Sequence, residues 1–239
     1  MSTYITHKAD TRGKADHGWL TSFQSFSFAG YYNPDRINFG ALRVLNDDIV
    51  AGGKGFGIHP HDNMEIISIP LSGALEHRDN LGNTKVVGEG EVQVMSTGTG
   101  VFHSEYNHNA EEEARFLQIW VFPKELNITP QYDQVTLDQA KMNNRFLPII
   151  APAPNKEGTS IHQDAWFNLG VFDAGRQETY TVNEPGHGVY AFVIDGSFTI
   201  DGHRLDQRDA LAIEGAASVN IIAESDKARL LLIEVPMQP

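Results

Sequence analysis

The strongest constraint in this chain is its punctuation: short β-prone segments follow one another, each closed by Gly, Asn or Asp. Residues 65–71, 74–77, 91–95 and 114–122 are such segments in the first half. Residues 189–194, 197–200, 209–213 and 229–235 follow in the second. Many short strands with turn signals at this spacing predict a sandwich or barrel. Asp79–Asn80–Leu81–Gly82–Asn83 and Asp201–Gly202 read as hairpin turns, because these residue types tolerate positive φ. Helical patterning is weak, and its best candidate is 137–143.

The pattern changes between residues 123 and 159. Pro123, Pro130, Pro148, Pro152 and Pro154 interrupt it, and proline lacks the N–H that a central strand must donate. This predicts a Pro-rich connection over 130–160, joining an N-terminal domain, 1–130, to a C-terminal domain, 131–239. The two sides resemble each other. In each, an apolar strand ends at a glycine turn, Ser72–Gly73 or Asp195–Gly196, and a hairpin follows. Each unit closes on a strongly apolar strand, 116–122 or 230–235. A repeated all-β unit of about a hundred residues fits two jelly-roll β-barrels in tandem, a duplicated unit of the cupin kind.

Composition removes several functions. At 239 residues the chain has room for one large domain or two smaller ones. It has no cysteine, which excludes disulfides, thiolate metal sites and a Cys nucleophile together. A net charge of -13 argues against a direct nucleic-acid partner, since that affinity rests on neutralising phosphates. The apolar run 230–233 near the C-terminus is far too short to span a bilayer. Residues 1–15 carry no apolar core of a secretory signal, so the expected location is cytoplasmic.

Chemistry concentrates in two segments. The first reads Gly57-Ile58-His59-Pro60-His61-Asp62-Asn63-Met64-Glu65. On an extended strand His59, His61 and Glu65 share parity and point to one side. The second, Gly98 to Glu105, ends in His103-Ser104-Glu105, where the first and last share a face. Pairing the two segments across a barrel gathers three imidazoles and at least one carboxylate. With ten histidines in 239 residues, His-x-His is expected ~0.4 times by chance and His-x-Glu ~0.6. Requiring both, with a glutamate four residues after the second histidine, lowers the expectation to ~0.015. The conjunction is specific. Its nitrogen and oxygen donors suit Fe, Mn, Co, Ni, Cu or Zn and are a poor set for Mg or Ca.

Gly53, His59, His61, Glu65 and Gly73 resemble the first cupin motif. Gly90, Gly98 and His103 resemble the second, with Ser96 where a proline is often found. More narrowly, HPHDNMEI, STGTGVFHSEYN, HGWLTSFQSFSF, FGALRVLNDD and QIWVFP resemble the pirin family. The nearest resemblance is to its bacterial members described as quercetin 2,3-dioxygenases. That resemblance implies a bicupin with one divalent transition metal ion, iron first among the candidates, in the N-terminal half. It implies His59, His61, His103 and Glu105 as ligands, with Glu105 also the catalytic base and Glu65 a supporting residue. It implies a flavonol such as quercetin and O2 as substrates. It also implies a rival reading, a metal-binding regulatory protein that engages a protein partner, and fold alone does not decide between them. A non-oxidative cupin such as an isomerase is a third.

The second half lacks the ligand pattern. His59 and His61 lie fourteen and twelve residues before Gly73, whereas Val182 and Glu184 hold those places before Gly196. The place of His103 falls near Val219–Ile221. His7, His17, His77, His108, His162, His187 and His203 are read as exposed or hydrogen-bonded rather than ligating. Phe23, Phe26, Phe28, Tyr31 and Tyr32 are read as core in preference to the wall of a pocket for a flat polyphenol.

Overall fold

The computed structural model describes residues 2–238. In the strand Glu65–Ser72 every residue but the last is buried, which requires cover on both faces of its sheet. Alternation explains how that cover is divided. Ile67, Ile69 and Leu71 enter a large apolar cluster that also holds Phe167, Phe192, Leu231 and Ile233 of the second half. Their neighbours Ile66 and Ser68 point the other way, into the first barrel. The same two-sided pattern governs Ala114–Val121, where Leu117, Ile119 and Val121 join the shared core.

Each half is a seven-stranded sheet accompanied by a four-stranded one. The first large sheet runs Gln131–Thr136, Glu91–Ser96, Glu65–Ser72, Ala114–Val121, Leu42–Val50, Leu20–Gln24, Gly13–Asp16. Its small sheet runs Gly55–His61, Val101–Asn107, Ala74–Asp79, Thr84–Gly88. The second large sheet begins Thr3–His7, Ala210–Glu214, His187–Asp195, Ala228–Pro236, and its small sheet orders Gln177–Thr181, Ser218–Ala223, Phe198–Ile200, His203–Leu205. The order of strands repeats between the halves. The fold is all-β, two cupin-type domains in tandem, as the punctuation predicted. Asp201 and Gly202 both adopt positive φ in the two-residue turn between Ile200 and His203, matching their turn chemistry.

The division near residue 130 is crossed in both directions. Gln131–Thr136 pairs with Glu91–Ser96 of the first half, and Thr3–His7 pairs with Ala210–Glu214 of the second. The stretch expected as a Pro-rich connection carries strands, Gln131–Thr136, Phe146–Pro152 and Thr159–Ile161. Its prolines avoid regular ladders: Pro123 and Pro130 lie outside strands, Pro152 ends one, and Pro148 sits at a register irregularity opposite Asn168. The segment 137–143 forms only a short 3-10 turn, Gln139–Met142, capped by the Asp138 carboxylate. No helix among the described residues is long and apolar enough to cross a membrane.

Candidate metal centre

The strands Gly55–His61 and Val101–Asn107 pair antiparallel with His103 directly opposite His59. On the first, Ile58 is 80% exposed, so its neighbours His59 and His61 turn inward. On the second, Phe102 and Tyr106 face outward while His103 and Glu105 are buried. The ring centroids of His59, His61 and His103 lie 4.4 to 4.9 Å apart, and their nitrogens approach within 4.8 Å. Close strand packing makes this possible. A Cβ at Gly55 would sit 2.2 Å from the Glu105 carbonyl oxygen, so only glycine lets the backbones meet here.

The electrostatics suit a cation. Burial first, then repulsion from His59, depresses His61 to about 4. Burial, followed by the facing His59, His61 and His77, depresses His103 to about 2. Both rings are neutral at neutral pH, the state in which imidazole offers a lone pair. His59 Nδ1 lies 2.7 Å from the Gly57 carbonyl, so a hydrogen resides there and Nε2 is the atom left to face an ion. His103 Nε2 is buried with no hydrogen-bond partner, a costly condition that a coordinated ion relieves. The residues present therefore fit a divalent transition metal.

Glu105 is 2% exposed. It accepts hydrogen bonds from Ser68 Oγ at 3.2 Å and Gln118 Nε2 at 2.9 Å, and burial raises its carboxyl to about 7. Its carboxylate lies within 4.8 Å of nitrogens of His103 and His77, forming a second triad that shares His103 with the first. Glu65 belongs to neither triad. Its Oε2 accepts from Ser96 Oγ at 2.7 Å and the His162 backbone N–H at 3.2 Å, tying the first sheet to the second half.

Two features escaped the sequence reading. His77, taken there as an ordinary histidine, is fully buried and stands beside His103, with ring centroids 5.3 Å apart. Burial outweighs the pull of Asp79 and lowers its pKa. Only part of the signal lay in the sequence: His77 shares parity with buried Leu75, whereas its place opposite Glu105 comes from the cross-strand register. The aromatic group also divides. Phe26 is core, Tyr32 is 74% exposed, and Phe28 and Tyr31 line a cavity of about 650 Å³ beside the histidines. Phe56 and Trp120 extend its aromatic wall, and Asn46, Asp48 and Gln118 form a polar one.

In the second half Ile200 lies opposite Ile221, the arrangement that places His77 opposite Glu105 in the first. Val219 then matches His103. All three aliphatic residues are buried in that half's apolar cluster. At those three positions the second half carries hydrocarbon where the first carries two imidazoles and a carboxylate.

Fold and site together define a two-domain cupin whose clusters of three histidine and carboxylate groups, among the described residues, lie in the N-terminal barrel. The family model described as Pirin matches residues 6–121, and that described as Quercetinase C-terminal cupin domain matches residues 148–235. The chain is 39% identical over 229 residues to quercetin 2,3-dioxygenase of Escherichia coli K12, covering 96% of this chain and 97% of that one. It is 38% identical over 226 residues to a pirin-like protein of Caulobacter vibrioides, covering 94% and 96%. A crystal structure of the E. coli bacterial pirin YhhW in complex with nickel(II) superposes with a TM-score of 0.92, at 38% identity, over 98% of this chain and 99% of that one. The chain belongs to the pirin family.

Proposed function

We propose that this chain is a metal-dependent dioxygenase of the pirin type acting on a flavonol such as quercetin. His59, His61, His103 and Glu105 would hold one divalent metal. The observation that carries this reading is the gathering of three imidazoles, His59, His61 and His103, with the buried Glu105 carboxylate beside His103, where His59, His61 and Glu105 line an aromatic-walled cavity. The E. coli relative named for this activity covers nearly the whole chain, which supports it.

When bound, the metal supplies Lewis acidity to a substrate hydroxyl. The remaining work falls to side chains. Phe28, Phe56 and Trp120 offer apolar faces and edges to a flat ring system. Glu105, held by Ser68 and Gln118, takes the hydroxyl proton on a carboxylate oxygen. The aromatic wall of the cavity limits water around the reacting ring.

Purified protein of measured metal content, incubated with quercetin under O2, tests the reading. Metal-dependent loss of the flavonol absorbance is expected, and His61→Ala abolishes it by removing one imidazole of the triad. Metal analysis of protein made without supplementation also decides between iron, expected from the resemblance, and nickel, found with the E. coli relative. Full metal occupancy with no turnover of any flavonol would refute the enzyme and favour a metal-binding interaction protein.

A further inference from the structure

Behind His103, away from the cavity, lies a chain of polar groups that the reaction does not use. It begins at Asp79, whose side chain is fully covered. The Asp79 carboxylate accepts from Leu81 N and Asn83 N, each at 2.9 Å through Oδ1. Its Oδ2 accepts from Asn83 Nδ2 at 2.8 Å and from His77 Nε2 at 2.9 Å. An ionised carboxylate only accepts, so the hydrogen on this last contact belongs to His77 Nε2. A neutral His77 ring protonated there carries a bare lone pair at Nδ1. That atom faces His103 Nδ1 at 3.5 Å. Two bare nitrogens at that separation would repel, so His103 supplies the hydrogen. Its other nitrogen, Nε2, is then the one left with a lone pair, and Nε2 is the buried atom without a partner.

We propose that Asp79 and His77 form a positioning relay that holds His103 as the Nδ1–H tautomer and so presents Nε2 to the metal. The inference rests on the metal-centre reading above. His59 reaches the same state by a shorter route, its Nδ1 facing the Gly57 carbonyl. The relay places a carboxylate two side chains from the ion, a longer version of the carboxylate–histidine pairing that orients metal-binding imidazoles. Tyr132, its ring centroid 4.7 Å from that of His77, packs against the relay and limits its rotation.

Long-range proton–nitrogen NMR of metal-free, histidine-labelled protein, recorded above neutral pH where the rings are uncharged, reads the tautomer directly. His103 is expected with hydrogen on Nδ1 in the wild type and as a tautomer mixture in His77→Phe. Calorimetric titration with Ni(II) should show binding weakened about 10- to 100-fold in His77→Phe, the usual cost of losing such a partner. His77→Gln, whose amide oxygen accepts the same hydrogen, should return affinity to within about threefold of wild type. A wild-type His103 protonated on Nε2 overturns the proposal, as does a folded His77→Phe that binds Ni(II) within about twofold of wild type. If His77→Phe does not fold, the wild-type spectrum and His77→Gln still decide. Wild type that binds no Ni(II) sinks the metal-centre reading, while its metal-free spectrum still judges the relay.

Discussion

Replacing Glu105 by Gln should stabilise the metal-free protein and remove its response to metal. The Glu105 carboxyl moves from 4.5 to about 7 on folding because burial penalises its charge more than Ser68 and Gln118 compensate. That span converts, at ~1.4 kcal/mol per pH unit, into about 3 kcal/mol. The folded state holds this proton more tightly than the unfolded state. The stability it contributes is therefore full below pH 4.5 and is lost as pH rises to about 7. Glu105→Gln keeps the shape, and Gln118 retains an oxygen to which it can donate, but the group cannot ionise. Urea unfolding of metal-free protein should show the variant and wild type close below pH 4.5. The variant should be more stable by about 3 kcal/mol above pH 7. Adding Ni(II) at a hundredfold excess over its Kd should stabilise wild type by ~2.7 kcal/mol and leave the variant nearly unmoved. A gap between the two proteins that does not change with pH would refute the reasoning, as would an equal response to Ni(II).

Gly98 has a φ of +43°, and a Cβ there would lie 2.0 Å from the Ile128 carbonyl oxygen. Gly98→Ala should therefore cost about 2 kcal/mol or more in urea unfolding. Leu231→Ala should lose about 2–5 kcal/mol and still unfold in a single calorimetric transition, because that side chain belongs to a core both halves share. Separate transitions for the two halves would contradict that shared core. Glu234 is fully buried and accepts from Tyr180 Oη at 2.7 Å and from the Asn183 and Glu184 backbone. Glu234→Ala strands those donors and should cost about 3–5 kcal/mol, read from the urea midpoint.

Local chemistry made most of the architecture legible. Parity alone put His59 and His61 on one face of a strand, and glycine turns marked the ends of the repeated units. Proline misled, because its missing N–H was read as the end of sheet structure. Pro148 shows why: a register irregularity accommodates it within a strand. His77 stayed hidden for a different reason. Its role depends on a neighbour 26 positions away, and no short motif encodes a contact made through cross-strand register. The same holds for Phe28 and Tyr31, whose place at the cavity is set by how a loop lies over Trp120 rather than by their own spacing.

The ribbons at Thr3–His7 and Gln131–Thr136 each lie along the sheet of the opposite half. A protease nick or gene fusion in the middle of this chain would not release two self-sufficient modules. Each product would show a raw flank where the other's ribbon had been, the kind of unpaired border that recruits foreign strands. The duplicated halves are mutually dependent, each hemmed along one border by a ribbon from the other.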